Sequence, residues 1–252
     1  MAINGLQLDL QGIPVSIHRP LTDFVQRVQA LLKDNLQGIT VVGSCLTVDF
    51  RPGISDINSI LMLHEHHQGV LVGLAGLVKP LRNNRFSPPL VMTEDYLNRS
   101  QRVFGIEWLE FQLIHHTILG PDLLTGLSFQ KSDVRLQCER ELKATLVRLR
   151  QGFISAAGDK TLVLDALIST AKALGPILRA ILWLVDLDRT PDREPTYRQV
   201  WEVFGIEAQG LASVWSWHDP NHRPTEKDLQ TAFDSVYGTV DQLAYFVDDL
   251  EI

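Results

Sequence analysis

The chain has 252 residues, of which 45% are hydrophobic, and a formal net charge of -7. This length and apolar fraction suffice for one large domain or two modest ones with ordinary hydrophobic cores. The negative charge argues against a broad nucleic-acid-binding surface, because such a surface neutralises phosphates with clustered Lys and Arg.

The sequence also carries few signs of an oxidising or membrane environment. Its two cysteines, Cys45 and Cys138, are too few for a disulfide framework. No basic-then-apolar signal peptide is recognisable at the N-terminus. The most apolar segments, Gly69 to Val78 and Ala173 to Val185, are too short or too interrupted to cross about 30 Å of hydrocarbon. We therefore expect a cytoplasmic protein with no membrane contact.

The first sixty residues predict a helix followed by two strands. Leu21 to Leu36 repeats apolar side chains at a spacing of three and four, which indicates an amphipathic helix. The β-branched run Ile39 to Val42 predicts a strand. A second strand is predicted over Ile54 to Leu63, after the turn-forming residues Arg51, Pro52 and Gly53.

The next sixty residues predict two further strands and two helices. Val70 to Leu81 has a helical pattern, and Pro88 to Met92 is typical of a short buried strand. Thr93 predicts a helix N-cap, because its hydroxyl can accept a backbone hydrogen bond and two acidic residues follow it. Phe104 to Leu113 is predicted to be a further strand.

The second half of the chain has helical periodicity throughout. A long helix is predicted over Thr161 to Leu187 and a final one over Thr225 to Leu250, which opens on a capping-box pattern. We therefore predict an α+β protein with two domains, an α/β domain over residues 1–130 and an α-helical bundle over residues 131–252. A homodimer is left open.

The strongest functional pattern lies in the first two predicted strands. Gly43 and Ser44 end the first strand, eleven residues follow, and Asp56, Ile57 and Asn58 lie in the second. A Gly-Ser pair lets backbone amides and a hydroxyl approach a phosphate group. Residues two apart on a strand face the same side, so Asp56 and Asn58 are expected to share one face.

This pattern resembles the polymerase-beta-like nucleotidyltransferase superfamily, which carries Gly-Ser at the end of one strand and Asp-x-Asp on the next. The segment Phe104 to Leu124 also resembles uncharacterised bacterial members with a helical C-terminal region, and the architecture resembles kanamycin nucleotidyltransferase. The resemblance implies a mixed β-sheet with flanking helices, followed by a helical bundle. It also implies transfer of a nucleoside monophosphate from a nucleoside triphosphate to an unknown small-molecule or protein acceptor.

The resemblance also implies which residues hold the nucleotide and its metal. The candidates for nucleotide binding are Gly43, Ser44, Ser55 and Arg51. Mg²⁺ or Mn²⁺ would be held by Asp56, Asn58 and Glu110, of which Asp56 and Glu110 are the candidate catalytic residues. Glu110 is chosen because the family takes its third carboxylate from a later strand. Glu107, on the opposite face of the same predicted strand, is the weaker candidate.

Asn58 is a departure from the family pattern. An amide offers one neutral oxygen where the family has a charged carboxylate that bridges two ions. An alternative function therefore stays open, namely a catalytically degenerate nucleotide-binding module or a regulatory, antitoxin-like interaction protein. A purely structural alternative also stays open, in which Asp56 and Asn58 cap loop backbone at a strand edge.

Two further clusters carry chemically capable side chains. His64, His66 and His67 are metal-ligand types, but they follow a strand in what is predicted to be a solvated loop without an evident fourth ligand. On the first helix of the second half, three cations share one face, and they point either at a phosphate or into solvent: Arg140, Lys143 and Arg150.

Overall fold

The computed structural model describes residues 2–3, 6–82, 84–217 and 223–252. The chain divides into two compact units. The first, here called the sheet unit, comprises Met1–Gln101 and Trp108–Ser128. The second, the helical unit, comprises Arg102–Glu107 and Phe129–Ile252. The sequence predicted one boundary near residue 130, whereas the structure also assigns the short segment Arg102–Glu107 to the helical unit.

The sheet unit is built on a mixed β-sheet, as predicted. Its strands in chain order are β1 (Ala2–Ile3), β2 (Leu6–Gln7), β3 (Leu36–Val42), β4 (Asn58–Leu63), β5 (Leu90–Thr93) and β6 (His115–Leu119). In the described part of the chain, four of them form one sheet in the order β5-β4-β3-β6, and β1 pairs with β2. β3 is antiparallel to both β4 and β6, while β4 is parallel to β5.

Helices flank this sheet. They are α1 (His18–Leu32), α2 (Gln68–Arg82), α3 (Glu94–Ser100) and α4 (Gly105–Leu113), whose first residues are assigned to the helical unit. One face of the sheet packs against the apolar stripe of α1. Phe24 and Val28 of this helix are buried together with Ile39 of β3 and Leu61 of β4. Thr93 caps α3 as predicted, because its hydroxyl accepts the Tyr96 N–H at 3.2 Å.

Two elements of the sheet unit differ from those predicted from the sequence. The strand predicted over Phe104 to Leu113 is instead α4, and the strand that follows it is β6. The burial pattern explains the difference, since Ile106 and Leu109 are both buried and lie one helical turn apart. The second predicted strand starts later than expected, because Ile54 lies in a turn and β4 begins only at Asn58.

The helical unit consists of helices, as predicted, with two shorter ones before the last. They are α5 (Lys131–Ala156), α6 (Lys160–Leu184), α7 (Arg193–Phe204), α8 (Gln209–Ser216) and α9 (Glu226–Asp248). The interior forms where α5 packs against α6 and α9. The predicted capping box of α9 is present, since the Thr225 hydroxyl accepts the Asp228 N–H and the Asp228 carboxylate accepts the Thr225 N–H.

By length and composition alone, α6 is long and apolar enough to cross a membrane. Its apolar side chains are nevertheless used inside the helical unit, where Leu174 and Leu178 are completely buried. The helix also contains Pro176 and the buried Arg179. Such a helix has the properties of a core helix, with its apolar face covered by neighbouring helices.

Candidate functional site

The site begins at Gly43, where the chain leaves β3. Gly43 has φ +82° and ψ -158°, a conformation that is essentially restricted to glycine. Its N–H donates to the Ile114 carbonyl at 3.1 Å, which extends the pairing of β3 with the start of β6. A 3₁₀ turn, Ser44–Leu46, follows immediately. The glycine is therefore required for the turn that carries Ser44.

Cys45 lies within this turn but is not a reactive group. Its side chain is fully buried, and burial raises the pKa of the thiol to about 11. Its Sγ donates to the Val42 carbonyl at 3.7 Å. At neutral pH the thiol is therefore protonated and serves to anchor the turn beneath Ser44.

Asn58 and His115 lie on either side of the last residue of β3. Val42 pairs with Asn58 of β4 and with His115 of β6. Directly opposed residues on antiparallel strands project from the same face, so the two polar side chains share a face at a Cα separation of roughly 10 Å. Ile57 is buried in the core on the opposite face. A Cβ placed on Gly43 would lie 3.5 Å from the Asn58 amide nitrogen, so Gly43 and Asn58 are neighbours.

Asp56, the predicted catalytic and metal-binding carboxylate, forms an ion pair. Its Oδ1 lies 3.0 Å from Nη2 of Arg85, and both side chains are about half exposed to solvent. The same Arg85 nitrogen also donates to the Ile54 carbonyl. The sequence contains no signal for this pair, because Arg85 lies in the connection between α2 and β5, far from Asp56 along the chain.

Ser55 and Arg51, two of the residues predicted to bind nucleotide, stabilise the loop between β3 and β4. The Ser55 hydroxyl accepts the Arg51 N–H at 3.0 Å, and the Arg51 carbonyl accepts the N–H groups of Ile54 and Ser55. The Ser55 side chain therefore closes this turn, and a role for either residue in phosphate binding stays a prediction.

Glu110, the predicted third carboxylate, lies on α4 rather than on a strand. Glu107, the weaker candidate, is also on α4, where its Oε2 accepts a hydrogen bond from Nε2 of Gln137 at 2.6 Å. The strand that pairs with β3 at this end of the sheet instead presents His115. The expectation of a strand-borne acid is therefore wrong, because helix α4 and not a strand contains both glutamates.

His115 is held by oxygen acceptors on both ring nitrogens. Nδ1 lies 3.0 Å from the Gln112 carbonyl, and Nε2 lies 3.2 Å from both carboxylate oxygens of Asp122. Asp122 also accepts the Leu124 N–H at 2.9 Å and the Thr125 hydroxyl at 2.7 Å. Burial raises the pKa of Asp122, but the hydrogen bonds from Thr125, Leu124 and His115 outweigh it and lower this pKa to about 2.

The pairing of His115 with Asp122 was not predicted from the sequence. Asp122 follows a Gly-Pro dipeptide and accepts the backbone N–H two residues later, the arrangement of an Asx turn. The turn was predictable from that local pattern. The approach of His115 was not, because it depends on the pairing of β6 with β3.

The histidines after β4 lie at the other end of the sheet. His64, Glu65 and His66 line a pocket of about 430 Å³ together with residues of β5 and α3, including Glu94 and Asp95. Across residues 2–3, 6–82, 84–217 and 223–252, no group of three or more His, Cys, Asp or Glu side chains could hold a metal ion. This holds for the histidine cluster and for the surroundings of Asp56 alike.

The cations of α5 have partners within the helical unit. Lys143 lies 2.7 Å from Glu139 and 2.9 Å from Asp248. Arg150 donates to the Tyr237 hydroxyl at 2.8 Å. These contacts favour the solvated-face interpretation, because Lys143 is paired with two carboxylates and Arg150 is bound by a hydroxyl on α9.

The fold as a whole is similar to a solved structure, that of the spectinomycin adenyltransferase AAD(9) from Enterococcus faecialis with ATP and spectinomycin. The TM-score is 0.55 at 11% sequence identity, and the match covers 89% of this chain and 99% of that chain. This chain has a nucleotidyltransferase-like fold. No protein-family model and no curated protein matches the sequence. At this identity the similarity establishes the fold alone, and it extends over both the sheet and the helical units.

Proposed function

We propose that this nucleotidyltransferase-like protein binds a nucleoside triphosphate where β3 ends and β4 begins. The observation that carries the proposal is Gly43, which leaves the strand in a glycine-only conformation directly beside the Asn58 amide. A glycine at such a turn lets a phosphate approach the backbone closely. The fold similarity supports the same ligand class, since the adenyltransferase structure contains ATP.

Transfer of the nucleoside monophosphate to an acceptor is the reaction that this fold class would support. The adenyltransferase structure contains a small molecule, spectinomycin, beside ATP. By analogy, we infer a small-molecule acceptor with a hydroxyl group, and a protein acceptor is the alternative.

A second candidate function is nucleotide binding without transfer. It is favoured by Asn58 and by the pairing of Asp56 with Arg85, because a two-ion mechanism needs several carboxylates free to bind metal. On this alternative the protein acts as a regulatory or interaction module that responds to nucleotide.

Calorimetry with ATP, GTP, CTP and UTP tests the shared proposal, and we expect saturable binding of at least one of them. A pyrophosphate-release assay with a panel of hydroxyl-bearing acceptors then separates the two candidates. Release of pyrophosphate supports transfer, whereas binding without release supports the regulatory function. Failure of all four nucleotides to bind would exclude both.

The position of Asn58 in the site can be tested separately. On the transfer candidate, which needs a metal ion, Asn58→Asp should tighten Mg²⁺ binding about tenfold, because it replaces a neutral oxygen ligand with a charged one. Asn98→Asp on α3 makes the same charge change away from the site and should leave Mg²⁺ affinity unchanged. Equal affinities in the two variants would mean that position 58 is not in a metal site.

A further inference from the structure

The end of the sheet beside Gly43 presents the Arg85 guanidinium where the family resemblance implies metal ligands. We propose that nucleotide binding at this site is independent of divalent metal, with the Arg85 guanidinium supplying the positive charge that the phosphates require. This inference rests on the proposed function, that a nucleoside triphosphate binds beside Gly43.

Asp56 already has a partner in Arg85. Its Oδ1 is 3.0 Å from Nη2 of Arg85, within the range of a charge-assisted hydrogen bond. A divalent ion would compete with the guanidinium for this carboxylate and would be repelled by its charge. A metal ion at Asp56 would therefore have to bind beside the positive charge of Arg85.

Arg85 is fixed to the sheet by backbone hydrogen bonds. Its carbonyl accepts the Ile57 N–H at 2.8 Å, and the Ile57 carbonyl accepts the Ser87 N–H at 3.1 Å. Phe86 is buried and stacks on Phe24 of α1 with ring centroids 4.9 Å apart. The guanidinium is thus held at the start of β4, where its remaining N–H donors are available to phosphate oxygens.

His115 stands at the other strand position beside Val42. Its two ring nitrogens face the Gln112 carbonyl and the Asp122 carboxylate. With both nitrogens engaged by protein oxygens, His115 offers no free nitrogen ligand to a metal ion.

The remaining position offers little to a metal ion. Asn58 supplies one neutral amide oxygen, and Glu110 is on α4 instead of on the neighbouring strand. The residues on this edge therefore do not fit a two-ion carboxylate centre, in agreement with the absence of a metal-binding group among the described residues. They fit an anionic phosphate, because a guanidinium donates to phosphate oxygens directly.

The test is titration of the full-length protein with ATP, once in EDTA and once in excess Mg²⁺. We expect dissociation constants that agree within about threefold. If ATP binds only with Mg²⁺, the inference is overturned while the proposed function stands. If neither ATP nor another nucleoside triphosphate binds under either condition, the proposed function itself fails.

Arg85→Asn tests the role of the guanidinium. Arg85 has φ +64°, a left-handed conformation that asparagine tolerates better than most residues, so this variant should fold as the wild type does. We expect ATP affinity in EDTA to fall about tenfold or more, because charge-assisted hydrogen bonds are lost. Wild-type affinity in this variant would overturn the role of Arg85.

Arg99→Asn is the matched control. Arg99 forms an ion pair of similar length, 2.9 Å, with Asp95 on α3. Its replacement should leave ATP affinity unchanged. Thermal unfolding of both variants, followed by circular dichroism, checks that they are folded. An equal loss of affinity in both folded variants would indicate a general charge effect and would also overturn the inference.

Discussion

The sheet unit and the helical unit use their polar residues differently. In the sheet unit, polar side chains from distant segments meet near the ends of strands, as in the pairs of Asp56 with Arg85 and His115 with Asp122. In the helical unit, charged side chains mostly cap helices or form ion pairs on the surface, and the interior is mainly apolar, with a few buried polar residues such as Arg179. Strand ends and turns leave polar groups accessible, so ligand chemistry concentrates there. Substitutions in the helical unit should therefore change stability, and those at the strand ends should change binding.

The largest expected effect is on stability in the helical unit. Leu243 on α9 is fully buried. Leu243→Ala should lower the free energy of unfolding by about 2–5 kcal/mol, because it removes buried methyl groups and leaves a cavity. Urea denaturation measures this change. Tyr245→Ala on the same helix is the control. Because Tyr245 is 66% exposed, its replacement should lower the free energy of unfolding far less. Similar losses in the two variants would contradict the assignment of the core.

Gly43→Ala should affect both stability and binding. The backbone conformation at Gly43 is strained for any residue with a Cβ, which costs about 1–3 kcal/mol. We also expect at least a tenfold loss of ATP affinity, measured by calorimetry, because the turn beside Asn58 shifts.

Gly12→Ala separates these two effects. Gly12 has φ +78° and nothing within 4 Å of an added Cβ, so its replacement introduces backbone strain away from Asn58. Stability should fall while ATP affinity is retained. An equal loss of affinity in both glycine variants would show that the binding defect arises from general destabilisation.

Asp122→Asn should lower stability by about 1 kcal/mol at neutral pH, a value reduced for solvent screening because the side chain is 41% exposed. The folded pKa of Asp122 is about 2, below its ordinary value of 3.8. Its contribution is therefore present above about pH 4 and is lost as the pH falls towards 2. The difference between wild type and variant in urea denaturation should shrink over that window.

Asp234→Asn on α9 is the control for removing one negative charge, because Asp234 is exposed. Its effect on the free energy of unfolding should be small between pH 7 and pH 3. A difference for Asp122→Asn that does not depend on pH would contradict the hydrogen-bonded carboxylate described for Asp122.

The smallest expected effect is at a helix end. Thr225→Ala removes the hydroxyl that accepts the Asp228 N–H at 3.2 Å and should cost about 0.5–1 kcal/mol. Thr231→Ala, at an exposed position within the same helix, should cost less. ATP affinity should be unaffected by either change, since both lie in the helical unit. Weaker ATP binding by Thr225→Ala would contradict the assignment of ligand binding to the sheet unit.

Local sequence patterns predicted the local structure well where a pattern fitted only one kind of element. The caps at Thr93 and Thr225 and the strand before Gly43 were predicted because each depends on a few neighbouring residues. Phe104 to Leu113 was predicted wrongly because its apolar residues fit both periods, with Ile106 and Trp108 two apart and Ile106 and Leu109 three apart. Packing favoured the helix. Glu110, the third candidate carboxylate, therefore lies on α4 and not on a strand.

The sequence by itself determined the Gly43-Ser44 turn at the end of β3 and the position of Asn58 on the next strand, whereas Asp56 precedes that strand. Both depend on residue type and spacing within one short segment. Only the tertiary structure decided that Arg85 pairs with Asp56 and that His115 lies across Val42 from Asn58. Those contacts join segments far apart in the chain, and they form because strand pairing and the burial of Phe86 fix where those segments lie.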